Sequence, residues 1–363
     1  MTMSPADKIA IIGHNGWAAQ AIVKSLAAQA FTTPLRVLAR DASSITSFPD
    51  NVEVARYSWD REESIASALY GIDILLQGLS DQTRLVPYMR NANIKLFAPS
   101  DLALPYTPEE RKTVTVPREK EQLEETLKNA GVPFVTILIG NFTSFALDSP
   151  YMGIDIVNNR ILHTGKSREN PVWLCSRDYV AAGYASLFSQ CSVSSLAGRT
   201  IGFNELHPTT GDIEVALHKK AGVPPRVAFD SVQNAADLTK ADRLDALVRK
   251  KMGDGTHNVG QDIWEIEGYR KRTLDDFISG DALEDPKYIK TDEKTRHFLD
   301  HYFPESSITK LRQEENAVLP KRLDRHRSIV QPFIHHYESE NTIKSFKQRS
   351  VILRVLRFVD STS

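Results

Sequence analysis

The residues best suited to chemistry come early in the chain. Ile11-Ile12-Gly13-His14-Asn15-Gly16-Trp17-Ala18-Ala19 follows a short apolar run and opens a helical pattern. A Gly-x-x-Gly-x-x-Gly/Ala spacing at such a junction has the form of a dinucleotide loop. Gly13 can make the tight turn without a Cβ clash. Gly16 lets the backbone approach a pyrophosphate seated on the helix N-terminus, and Ala19 is small enough for helix-to-strand packing. Asn15 and Trp17 belong to the same loop, with Trp17 placed to shield the pyrophosphate edge or simply to cover the helix. A tight strand-to-helix turn without a ligand would use the same glycines. The next apolar run ends Val37-Leu38-Ala39-Arg40-Asp41. An NAD site usually carries an acid here for the ribose 2′-hydroxyl. A guanidinium can instead take a 2′-phosphate through two parallel charged hydrogen bonds, so Arg40 argues for NADP(H). Asp41 could pair with Arg40, Ser43 and Ser44 could add hydroxyls, and a solvated surface arginine is the plain alternative.

These side chains need a scaffold to hold them. The pattern predicts strands at 8–12, 35–39, 52–57, 72–77, 95–98 and 133–139, and helices at 18–29, 62–69, 82–91 and 119–129. Such alternation implies βαβ units, hence an α/β protein with a Rossmann-type doubly wound parallel sheet. Ligands of these sheets bind beyond the carboxyl ends of the strands. Ser100 and Asp101 follow one such strand, and Asn141 and Phe142 follow the next. Ser100 could bind the cofactor ribose or the substrate, or serve as a cap or turn hydroxyl. Phe142 could pack on a nicotinamide or be a core aromatic. Further on, Asn158-Asn159 reads as a hairpin turn. Helices are expected at 176–189, 209–221, 238–251 and 273–278, with a short strand at 200–203. The predicted organisation is an NADP-binding domain over 1–150 and a smaller α+β domain over 151–305, which covers the substrate and interleaves with the sheet. A basic tail, 306–363, follows. Residues 301–363 hold 4 Lys and 7 Arg against 7 acids, 4 + 7 − 7 = +4. Lys344–Phe358 could form a basic amphipathic helix that docks on a partner or an acidic surface, or be a loosely packed appendage.

Composition excludes several classes. The chain has 363 residues, 41% hydrophobic and 25% charged, which fits a globular protein rather than a disordered, collagenous or coiled-coil one. A net charge of −1 offers no field for nucleic acid. Cys175 and Cys191 are too few for a disulfide framework or zinc cluster. The start, 1–8, lacks a secretory pattern, and no window reaches the roughly 18 apolar residues of a membrane span, so a cytoplasmic protein without membrane contact is expected. No Gly-x-x-x-x-Gly-Lys-Ser/Thr loop and no Gly-x-Ser-x-Gly elbow occurs. His14, His163, His207 and His335-His336 have no metal-ligand spacing, so no metal is expected.

Taken together, the motifs resemble the NmrA-like and isoflavone-reductase-like branch of atypical short-chain dehydrogenases. The resemblance rests on Gly13-x-x-Gly16-x-x-Ala19 with Arg40, on Phe97-Ala-Pro-Ser-Asp-Leu102, on Lys120 eleven residues before Gly131-Val-Pro-Phe-x-Thr136, and on Asn141-Phe142. It spans 8–145 and continues weakly to about 300. Departures are Asn15 for the usual Thr, Ala19 for the last Gly, Asp101-Leu102-Ala103 for Glu-Phe-Gly, and Glu124 where an Arg often stands. None of the 11 tyrosines has a lysine four residues later, so the ordinary tyrosine–lysine pair is absent. The resemblance instead nominates Lys120 for proton transfer. A lysine desolvated and unpaired near a cationic ring could deprotonate a hydroxyl or steady an oxyanion. The plain alternative pairs Lys120 with Glu124 along a helix face, and Lys112 is a rival. The resemblance implies an NADPH-dependent oxidoreductase acting on a small, aromatic or polyketide-like substrate in specialised metabolism, with a homodimer left open. The alternative is an NmrA-like dinucleotide-binding redox sensor that works through a protein partner without turnover.

Overall fold

A computed structural model describes residues 7–29, 31, 33–40, 48–78, 82–147, 150–280 and 299–303. Asp41, Ser43, Ser44, the tail 306–363 and the expected helix at 344–358 lie outside the described residues.

Five parallel strands form the main sheet: β1 (Ile9–Ile12), β2 (Leu35–Arg40), β3 (Val52–Tyr57), β4 (Ile74–Gln77) and β5 (Leu96–Ala98), in the order β3-β2-β1-β4-β5. β1 and β4 are buried at every position, as expected for strands covered on both faces. Ile11 and Val37 join a core with α1 (Trp17–Ala27) and α7 (Arg177–Gln190). Ile12 and Leu38 join the opposite core with α2 (Glu62–Leu69), α3 (Val86–Asn91) and α5 (Thr115–Ala130). The sheet is therefore doubly wound, as the alternation predicts.

The hydrogen-bonded array continues past β5. Phe97 N–H donates to Pro133 O at 2.8 Å and Val135 N–H to Phe97 O at 2.9 Å. The chain then enters β6 (Thr136–Leu138), which pairs in parallel with β11 (Thr200–Gly202). Segments from beyond residue 150, α7 and β11, thus build the sheet layer. The remaining elements surround a second core of Ile161, Leu174, Leu217 and Phe277, except that Leu196 belongs to the first core and Phe142 packs against it. They are α4 (Pro108–Thr113), β7 (Asn141–Phe142), α6 (Thr143–Leu147), β8 (Ile154–Asp155), β9 (Arg160–Thr164), β10 (Leu174–Cys175), α8 (Val193–Leu196), α9 (Thr210–Ala221), β12 (Arg226–Asp230), α10 (Val232–Thr239), α11 (Leu244–Asp254) and α12 (Leu274–Ile278). β8 and β9 are the expected hairpin, with Asn159 at φ 49°. Among the described residues no helix is long and apolar enough to cross a membrane.

Some local readings change. The single helix expected at 238–251 is two, α10 and α11. Between them Asp242 takes φ 60°, and its carboxylate accepts from both Thr115 N–H and Thr115 Oγ1 at 2.6 Å. That carboxylate caps the start of α5, and the chain breaks to deliver it. α4 escapes the sequence pattern because it is polar. A Thr107–Glu110 capping box starts it, and buried Glu110 pairs with Lys251 at 2.8 Å.

α7 sits on the sheet through Gly183, where a Cβ would fall 2.4 Å from the Phe203 ring. Gly183→Ala should destabilise the protein by roughly 1–3 kcal/mol through overpacking, read as a lower melting temperature in a thermal scan.

Candidate active site

The glycine loop forms one wall of a cavity of about 170 Å³ beyond the ends of β1, β2 and β3. Gly13 has φ 82°, and its carbonyl accepts the Gly16 N–H at 3.0 Å. A Cβ on Gly16 would lie 3.3 Å from that carbonyl. Gly78, just after β4, is tighter: its Cβ would stand 3.0 Å from both Gly13 O and the Ala19 methyl. Side chains are thus excluded where loop, helix and β4 meet. The start of α1 has no side-chain cap and no acid in its first turn. Its first N–H groups and positive dipole end suit an anion. Arg40 ends β2 on the rim of this cavity, beside Tyr57 of β3. Burial raises the Tyr57 hydroxyl pKa, and the Arg40 charge opposes that rise. Asn15 lines the same cavity, while its carbonyl accepts from Gln20 Nε2 at 3.2 Å. These features fit a dinucleotide carrying a 2′-phosphate.

The β5 end carries the second group. Gln82 Oε1 accepts the Ser100 N–H at 2.9 Å, and Ser100 caps no helix. Lys120, on α5, donates to Asp101 O at 2.9 Å and Ser100 O at 3.2 Å, and pairs with Asp101 Oδ1 at 2.8 Å. Neither expectation for Lys120 survives unchanged. It is not unpaired, because Asp101 and two carbonyls engage all three ammonium protons. Nor does it pair with Glu124, which binds Arg111 at 3.2 Å. Lys120 borders a separate cavity of about 560 Å³ along the α5 face that carries Glu124 and Lys128. The two cavities share no lining residue. Lys112 is absent from both walls.

The β6 side carries the third. Gly140 has φ 71°, and a Cβ there would reach 2.0 Å from Trp173 O, so glycine alone lets β7 pair with β10. Phe142 meets Trp17 edge-on, ring centroids 5.0 Å apart, and Arg177 lies over the Trp17 ring at 5.2 Å. Trp17 therefore ties the start of α1 to β7 and α7. Asn141 Oδ1 lies 2.9 Å from Nε2 of the buried His257, whose Nδ1 accepts the Trp173 N–H at 3.1 Å. Burial pushes His257 down to about 3, with the Lys251 charge acting in the same direction.

The structure gathers Gly13, Asn15, Gly16 and Arg40 into one cavity, with Ala19 packed against its floor, and joins Trp17 to Phe142 and Ser100 to Lys120. It does not bring Lys120 into the glycine-loop cavity. Tyr57, Gly78, Gln82 and His257 were missed. A glycine directly after an apolar strand was the available signal for Gly78; His257 lies in an irregular stretch without one. Asp101 was noted beside Ser100, but its pairing with Lys120 was not foreseen. Among the described residues no cluster of three or more His, Cys, Asp or Glu could hold a metal ion.

Residues 5–157 match the sequence model of the NmrA-like family. No curated protein matches the sequence. Among solved structures, "AtPrR2 with NADP+ and (+)pinoresinol" aligns with a TM-score of 0.61 at 14% identity, over 76% of this chain and 99% of that one. An isoflavone reductase aligns with a TM-score of 0.58 at 16% identity, over 75% of this chain and 98% of that one. The leucoanthocyanidin reductase–NADPH binary complex from Vitis vinifera aligns with a TM-score of 0.57 at 14% identity, over 75% and 98%. At these identities the likeness is one of fold.

His257 makes stability depend on pH. Between its ordinary 6.5 and about 3, the unfolded chain binds a proton that the folded ring refuses. Stability should therefore fall as pH falls below 6.5, by about 1.4 kcal/mol per pH unit from this group, and be flat above it. Urea midpoints near neutral pH and one to two units below should differ less in His257→Gln than in the parent.

Proposed function

We propose that this protein is an NADPH-dependent reductase of small organic molecules. The observation that carries the reading is Arg40. It stands on the rim of the glycine-loop cavity, at the strand end where a dinucleotide lacking a 2′-phosphate would call for an acid. Solved relatives of the same fold that hold NADP+ or NADPH support it. The loop N–H groups at the start of α1 hold the pyrophosphate, and the Arg40 guanidinium grips the 2′-phosphate. Bound NADPH supplies the hydride. Ser100, Asn141 and Phe142 border the region beyond the β5 and β6 ends, where substrate and nicotinamide half would meet. Lys120 holds the proton that balances hydride addition. A substrate oxygen gains that donor only by displacing one of its present acceptors. Ser100 O, at 3.2 Å, is the longest contact and the first to yield, with Asp101 remaining as counter-ion. The relatives' names, pinoresinol and leucoanthocyanidin among them, favour an aromatic or polyketide-like substrate of specialised metabolism. A soluble cytoplasmic chain, single or homodimeric, is the setting this reading assumes.

The closed state of Lys120 favours a second reading. An ammonium with every proton engaged, in a cavity apart from the glycine loop, also suits a dinucleotide sensor without turnover.

Two experiments decide. Titration followed by tryptophan fluorescence should show NADPH binding at least about tenfold tighter than NADH. Arg40→Ala should lose roughly 1.5–3 kcal/mol of NADPH affinity, with NADH unchanged. Equal affinities in the parent would remove the Arg40 argument. In a reductase screen, Lys120→Ala should keep NADPH binding and lose about 10²-fold or more of turnover. An indifferent Lys120→Ala, in a protein that still binds NADPH, would leave the sensor.

A further inference from the structure

The region beyond the strand ends contains a hydrogen-bond donor whose direction is fixed from behind. A backbone N–H can only donate, so the Trp173 contact means that His257 Nδ1 carries no proton. The neutral ring then carries its proton on Nε2, which donates to Asn141 Oδ1 at 2.9 Å. An asparagine amide can sit in two orientations related by a flip. His257 selects the one with oxygen inward and –NH2 outward. Asn141 is only half-buried, and its –NH2 has no partner among the described residues. A half-exposed amide fixed in this orientation keeps its donors available to an acceptor oxygen on a ligand.

The sheet order says which ligand atoms arrive there. Arg40 ends β2, on one side of β1. Asn141 follows β6, on the other side of β1, past β4 and β5. The next residue, Phe142, touches Trp17, the first residue of α1. A dinucleotide with its 2′-phosphate at Arg40 and its pyrophosphate on α1 must lay its other half across the β5 and β6 ends.

We infer that His257 is a positioning residue, which holds the Asn141 amide so that its –NH2 donates to an acceptor oxygen on the nicotinamide half of the dinucleotide. This rests on the dinucleotide reading above. His257 itself touches no ligand: its Nδ1 and Nε2 are spent on Trp173 and Asn141.

The test compares two ligands on the full chain by tryptophan fluorescence. NADP+ carries the nicotinamide half; adenosine 2′,5′-bisphosphate lacks it and reaches only the Arg40 end. Asn141→Asp keeps the acceptor for His257 and removes the outward donor. His257→Leu frees the amide to flip. Both should weaken NADP+ roughly 3- to 10-fold and leave the bisphosphate within about twofold. His257→Gln can donate from nearly the same place and should restore most of the NADP+ affinity. A merely structural His257 would weaken both ligands together, or neither, and either result overturns the inference. Should His257→Leu fail to fold, the Asn141→Asp comparison decides alone. A parent protein that binds neither ligand overturns the dinucleotide reading, and this inference with it.

Discussion

Everything at the candidate site depends on one steric constraint: three backbones meet with no room for a side chain. The Gly13 turn, the start of α1 and the residue after β4 crowd together, so that a Cβ on Gly78 would stand 3.0 Å from the Gly13 carbonyl. Close packing of this kind tolerates no added methyl without a shift. Its effect is to bring the α1 N-terminus flush with the strand ends, uncapped by any side chain. Arg40, the β5 end and the β6 end are then placed around that point by strand order alone. Trp17 transmits the same placement sideways, because Phe142 and Arg177 both pack on its ring.

The ion pair of Lys120 with Asp101 changes what kind of group this lysine is. A buried charge is tolerable only with a partner, and removing one member strands the other. Here the partner is supplied by the segment that Lys120 helps to hold, since the same ammonium bonds the Ser100 and Asp101 carbonyls. The lysine is thus a clamp on the β5 end.

Much of the sheet was legible in the sequence because buried parallel strands are continuous apolar runs, and because α2 and α9 carry strong boundaries. α2 spans 62–69 as expected, and Gly222 closes α9 in the left-handed conformation. That Gly13, Gly16 and Arg40 share one cavity was legible for a related reason: a strand-to-helix glycine turn and the next strand end lie within one βαβ unit. The environment of Lys120 was not legible, since Arg111 captures Glu124 from another helix and Asp101 arrives from a strand end. His257 could not be found at all by spacing. It meets Asn141 across 116 residues, through a fold in which Gly140 must first pass Trp173. The break at Asp242 has the same character, because its cause, the bare N-terminus of α5, lies 127 residues away.

The interleaving of α7 and β11 with the first five strands bears on how such a protein can diversify. A lobe added at the end of a finished sheet could be exchanged as a cassette. Here the chain leaves the sheet after β6, builds part of the second core, and returns to lay α7 against α1 and β11 against β6. No single junction separates the two layers, so recombination at one crossover would leave the α1 face bare and β6 unpaired on one side. New specificities must therefore enter as insertions and substitutions within the excursions, with their two endpoints pinned by the sheet.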